Sequence, residues 1–124
     1  MKFKYKVIKK EENQEESKIL QTGLTSEFTI KDIKDEIVAY NRHKVEIEAK
    51  KKISEAVIEN VKNNYPGLID KLDERERIGI FLYEKAMTEI KASNELLKRA
   101  DKLIEDNGKE LAEIEKQTGL KVNE

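Results

Sequence analysis

The chain has no cysteine, so neither a disulfide framework nor a thiolate metal site can be built from it. Tryptophan is missing too, and aromatic residues make up only 6%, which leaves little material for a thick globular core. The five glycines are scattered, and neither a GxGxxG nor a Walker pattern is present to cradle a phosphate. Nor is there an excess of one charge. Lys and Arg number 25 against 26 Asp and Glu, and a formal net charge of −1 is too small to draw in nucleic acid or an anionic membrane. No apolar run approaches the roughly 20 residues that a membrane span needs. The opening MKFKYKVIKK is basic, but no apolar stretch follows it, so it does not read as a secretory signal. A cytoplasmic protein is expected, or a virion protein if the gene is viral.

What the chain has instead is dense charge and regularly spaced apolar residues. Charged residues are 41% of the whole and hydrophobic ones 37%, a balance that suits elongated helices with a narrow apolar stripe. The regular spacing argues against disorder. At 124 residues the length suits one domain.

Residues 1–29 read as a β-hairpin. Phe3, Tyr5 and Val7 alternate with Lys2, Lys4 and Lys6, the period of a half-buried strand. The acidic loop EENQEE follows, and Leu20, Thr22 and Leu24 then line one face of a second short strand. Two strands alone are marginal, so the hairpin must pack on helices or pair with another chain. The segment EFTIKDI next carries a strong helix start. Thr29 is the N-cap, Asp32 nearly completes a capping box, and Phe28 with Ile33 forms a hydrophobic staple. A first long helix is predicted from Ile30 to about Asn63. Its apolar positions, among them Ile37, Val38, Val45, Ile53 and Val61, drift around the axis, which favours a straight helix over a supercoiled one.

Pro66 is the only proline. It forbids helix at Tyr65, and Asn63 and Asn64 before it can adopt left-handed C-cap geometry. A turn near 63–73 is therefore predicted, folding a second long helix back antiparallel to the first. That helix starts either at Pro66 or, from the Asp73 and Glu76 capping pattern, at Glu74, and the matched lengths favour Glu74. Its heptad pattern sets Ile69, Glu76, Tyr83, Ile90, Leu97 and Ile104 at one position, broken only at Glu76, and Leu72, Gly79, Ala86, Ser93 and Ala100 at the other. Large residues thus alternate with small ones along a helix–helix seam. Small residues let two backbones approach closely. Gly108 reads as a helix stop, which leaves 108–124 as a short C-terminal helix and tail. The expected fold is mainly α: a long, antiparallel, coiled-coil-like helical hairpin over 30–107, with the β-hairpin before it and the short helix after it.

Chemistry is hard to place on this frame. The single histidine, His43, has Ala39 and Ile47 four residues to either side, so it forms no metal-binding pair on its helix. Carboxylates abound, but Glu46–Lys50, Glu48–Lys52 and Glu95–Arg99 spacing makes them a solvated, salt-bridged face. The basic run Lys50 to Lys52 is spread around the helix and interleaved with Glu46, Glu48 and Glu55, a poor patch for nucleic acid. The apolar cluster at Ile78, Ile80, Phe81, Leu82, Tyr83 and Met87 asks for more cover than a two-helix hairpin gives, because these side chains point nearly all round the helix. It reads either as core where the β-hairpin or the C-terminal helix packs over the helices, or as an interaction surface for another subunit, and the two are compatible. The sequence therefore suggests a non-enzymatic structural or assembly protein working through helical surfaces, of a kind that suits a virion or phage-encoded component. The alternative is an adaptor or chaperone-like module holding a client segment. The expected partner is protein, its own copies or a larger assembly. No cofactor, metal, membrane, nucleic acid or small-molecule substrate is expected.

Overall fold

Period-two and period-3.6 patterning divide the chain into two strands and two long helices. A computed structural model describes residues 3–64 and 74–122, and the side chains there except those of 74–79. Strand β1 (Tyr5–Lys9) is followed by a 3-10 turn (Gln14–Glu16), strand β2 (Lys18–Gln21), helix α1 (Ile30–Asn64) and helix α2 (Glu74–Thr118). The turn predicted around Pro66, with Ile69, Leu72 and Asp73, lies outside the described residues. Contacts separate the chain into two units. The first comprises Met1–Asn41 and Asp101–Glu124, the second Arg42–Ala100, so each helix contributes to both.

In the first unit, β1 and β2 pair antiparallel, with Tyr5 opposite Gln21, Lys6 opposite Leu20 and Val7 opposite Ile19. The register shifts between Val7 and Lys9, which makes Ile8 an extra residue in β1. The acidic connection is ordered by its own polar side chains. Asn13 Oδ1 accepts from the Glu15 amide at 3.2 Å, and the buried Ser17 Oγ accepts from the Glu11 amide at 3.0 Å. The inward residue of β2 is Ile19, with no exposed surface, whereas Leu24 is 51% exposed. That corrects the predicted face of Leu20, Thr22 and Leu24. The strand ends at Gln21, before Leu24, and the pleat turns the Ile19 side chain inward while its backbone is also bridged to Phe28 on its other side.

Helix α1 begins as its capping residues dictate. Thr29 Oγ1 accepts from the Asp32 amide at 3.1 Å, and Asp32 Oδ2 accepts from the Thr29 amide at 2.9 Å. This reciprocal pair satisfies two amides that would otherwise lack partners and contributes about 1 kcal/mol. It also aims Ile30 and Ile33 into a core shared with Ile19, Leu111, Ile114, Leu120 and Val122. Tyr5, Val7, Phe28 and Ile37 pack around that core, and the Tyr5 and Phe28 rings meet edge to face at 6.1 Å. Each fully buried aliphatic side chain here contributes about 2 kcal/mol by the area it removes from water.

The predicted stop at Gly108 is absent: α2 runs through it to Thr118, so there is no separate C-terminal helix. A glycine inside a helix costs about 1 kcal/mol relative to alanine. Continuing the helix seats Leu111 and Ile114 in the core, which outweighs that cost. The stop comes at Gly119, whose φ of 75° is the left-handed C-cap conformation and whose amide donates to Glu115 O at 3.0 Å. Beyond it Leu120 and Val122 fold back into the same core. Lys34 fastens this tail, donating from Nζ to both Val122 O and Glu15 Oε1.

Candidate interaction surfaces

Two places gather side chains of note: the flanks of α2 in the second unit, and the polar cluster where β1 meets α2 in the first.

In the second unit a line of covered side chains runs along α2 through Tyr83, Ala86, Ile90, Ser93, Leu97 and Ala100, spaced alternately three and four apart, with Ile80 half-buried beside it. Ala86, Ser93 and Ala100 are 3%, 8% and 5% exposed. A side chain ending at Cβ or Oγ cannot be covered to that degree unless a neighbouring element lies close above it. On α1 a line with the same spacing runs through Lys44, Ile47, Lys51, Ser54, Ile58 and Val61, with Val57 half-buried beside it. Ser54 Oγ donates to Glu89 Oε2 at 2.9 Å and ties the two helices. Lys44 and Lys51 sit on this line because their aliphatic stems can cover a seam while the ammonium groups reach solvent. The sequence reading overlooked both lysines by counting only apolar residues. Their seven-residue spacing from Ile37 and Ile58 was the signal that could have found them.

A seam in which small residues alternate with large ones on α2 leaves further large apolar side chains outside it. Phe81 is 65% exposed, Met87 45%, Leu96 44% and Leu82 38%. Leu82 and Leu96, two heptads apart, fall on one flank of the covered line, and Ile80 and Met87, one heptad apart, on the other. Phe81 points away from it. Of the predicted cluster, Ile80 and Tyr83 are half-buried, and Ile78 lies in α2 with its side chain outside the described set, as does Gly79. Ile104, the last predicted seam residue, belongs to the first unit and is half-buried. On α1, Val45 and Ile53 are each 66% exposed. A shallow, open depression lined by Met87, Thr88, Ile90, Lys91 and Asn94 runs beside the seam.

In the first unit Tyr5 hydrogen-bonds Glu110 through its hydroxyl, and its pKa is pushed up to about 12 by burial first and then by the Glu110 and Glu113 carboxylates. Burial likewise raises the Glu110 pKa, and Glu36 adds repulsion. Asn107 Nδ2 donates to Glu36 Oε2 at 3.1 Å. Both shifts favour the protonated, neutral forms, which suits a structural tyrosine–carboxylate bond holding β1 to α2. Gln117 completes the attachment: its Oε1 accepts from the Tyr5 amide at 2.7 Å and its Nε2 donates to Phe3 O at 2.8 Å. Sequence gave no signal for Gln117, since the contact spans 112 positions.

His43 lies 3.7 Å from Glu46 on an exposed helix face. Among the described residues no group of three or more His, Asp or Glu side chains is placed to hold a metal ion. No described helix is long and apolar enough to cross a membrane. Comparison of the chain with protein-family models, curated proteins and solved structures finds no match.

Proposed function

We propose that this protein is a non-enzymatic assembly component, a coiled-coil-like helical hairpin that meets other protein subunits, its own copies first, through the outer faces of α2. The carrying observation is the exposure of Phe81, Leu82, Met87 and Leu96 around a seam in which every second α2 residue is small. In water, each large apolar side chain left out costs what its burial would return, about 2 kcal/mol when fully covered. A charge near zero leaves copies without strong mutual repulsion. The alternation of three and four along both helices supports the coiled-coil reading, with lysine at two core positions limiting the number of strands. A virion or phage component falls within this reading.

A second reading, an adaptor that holds a client segment, draws on the open depression beside Met87, because methionine adapts its shape to varied apolar partners. Absolute molar mass by light scattering over a hundredfold concentration range separates the two. Assembly predicts a mass that rises with concentration and returns to the monomer in Phe81→Glu/Leu96→Glu, with helicity by circular dichroism unchanged. A monomer at every concentration refutes self-assembly and leaves the adaptor reading.

A further inference from the structure

The ladder pattern of the β-hairpin leaves one sheet edge unfinished. In an antiparallel pair, residues alternate between those whose amide and carbonyl face the partner strand and those whose groups face outward. Lys4 O accepts from the Thr22 amide at 2.8 Å, so Lys4 and Lys6 face β2. Tyr5 and Val7 face outward. Their opposite numbers on β2 follow the same rule: Ile19, across from Val7, gives both its backbone groups to Phe28, at 2.8 and 2.9 Å. The far edge of β2 is thus closed by the chain itself.

The far edge of β1 is closed only at one end, and by a side chain. The Gln117 carboxamide accepts from the Tyr5 amide and donates to Phe3 O, the pair of bonds that the peptide group of a neighbouring strand would make. Past this point Tyr5 C=O and both backbone groups of Val7 point away from the sheet, and among the described residues no hydrogen bond reaches them. Such an edge recruits extended chain through main-chain bonds, and side chains decide which chain.

Here the side chains are asymmetric. On the face away from the core, Lys4 and Lys6 are exposed. On the core-side face Tyr5 and Val7 are half-buried and pack against the apolar core. A second copy of β1 would set lysines beside lysines across the new pair, and like charges directly opposite destabilise a ladder. The complement is a strand with carboxylates on the lysine face and apolar residues on the other. We propose that the outer edge of β1, from Phe3 to Val7, docks an extended segment of another protein in which acidic and apolar residues alternate. The segment adds as a third strand and takes over the bonds that Gln117 now holds. This surface is separate from the α2 faces, and Phe81→Glu leaves it intact.

The test uses fluorescein-labelled seven-residue peptides: one alternating valine and glutamate, one alternating valine and lysine, and a valine–glutamate peptide with a central proline. Binding is read by anisotropy, and docking by amide hydrogen exchange at Val7. The glutamate peptide is expected to bind and, at tenfold its Kd, to slow Val7 exchange about tenfold. The proline and lysine peptides should not bind, and Lys4→Glu/Lys6→Glu should exchange the preference between the glutamate and lysine peptides. Equal binding of the proline peptide, binding that leaves Val7 exchange unchanged, or no binding each overturns the proposal. So does Val7 protection that grows with protein concentration alone, which would make the occupant a second copy.

Discussion

Replacing Gly108 with alanine is expected to stabilise the protein, and the sign of the effect tests how α2 is built. Gly108 is exposed, lies within α2 and does not have a positive φ. A Cβ added there would meet nothing within 4 Å. Alanine therefore brings no clash, and it removes the entropy glycine loses on entering a helix, about 0.8–1 kcal/mol in a helix interior. No packing term offsets that gain, so a stabilisation of about 1 kcal/mol follows. For a chain of this size it should raise Tm by about 4 °C. Urea unfolding followed by ellipticity at 222 nm should show a higher midpoint with an unchanged slope. Gly119→Ala supplies the opposite control, since its φ of 75° disfavours any residue with a Cβ. It should cost about 1 kcal/mol by the same assay. If Gly108→Ala destabilises as Gly119→Ala does, α2 stops at Gly108 and the continuous helix is refuted.

Thr29→Ala should cost about 1 kcal/mol in urea unfolding, and combined with Asp32→Ala it should cost less than the two separate losses added, because each side chain serves the other's amide. Ser93→Ala should be close to neutral, whereas Ser93→Leu should lose about 1–3 kcal/mol if the helices approach closely over this 8% exposed residue; equal effects would refute the close approach. The pH dependence has two parts with defined signs. Glu110 has its folded pKa raised above 4.5, so the folded state holds the extra proton and stability falls as pH rises through that window; Glu110→Gln should flatten the fall. Tyr5 is raised from 10.0 to about 12, so its contribution is complete below 10 and lost as pH rises through about 12, a loss that Tyr5→Phe should abolish in alkaline unfolding curves.

Local rules made much of the fold legible. Thr29 and Asp32 are three residues apart and satisfy each other, so the start of α1 at Ile30 could be read from seven letters. The alternation of Tyr5 and Val7 against lysines likewise announced β1, and the spacing of Ala86, Ser93 and Ala100 anticipated a line of covered small residues. Gly108 and Gly119 are the instructive pair. Each looks like a helix stop on its own, and each is followed by apolar residues. Only the destination of those residues separates them: Leu111 and Ile114 reach the core from a continuing helix, while Leu120 and Val122 reach it only if the chain turns back. The candidate surfaces divide in the same way. Which residues of α2 are apolar was written in the sequence, but whether Leu82 or Leu96 is left outside depends on which face meets α1, and covered Lys44 and Lys51 show that hydrophobicity alone does not choose that face. The clasp of Gln117 on β1 was beyond reach for a simpler reason. The sequence by itself determined the elements, because capping, periodicity and backbone preference act within a few residues. The tertiary structure decided where α2 ends, which faces stay open and what holds the edge of β1, because those follow from burial and hydrogen bonds between residues far apart in the chain, 35 positions for Ser54 and Glu89 and 112 for Tyr5 and Gln117.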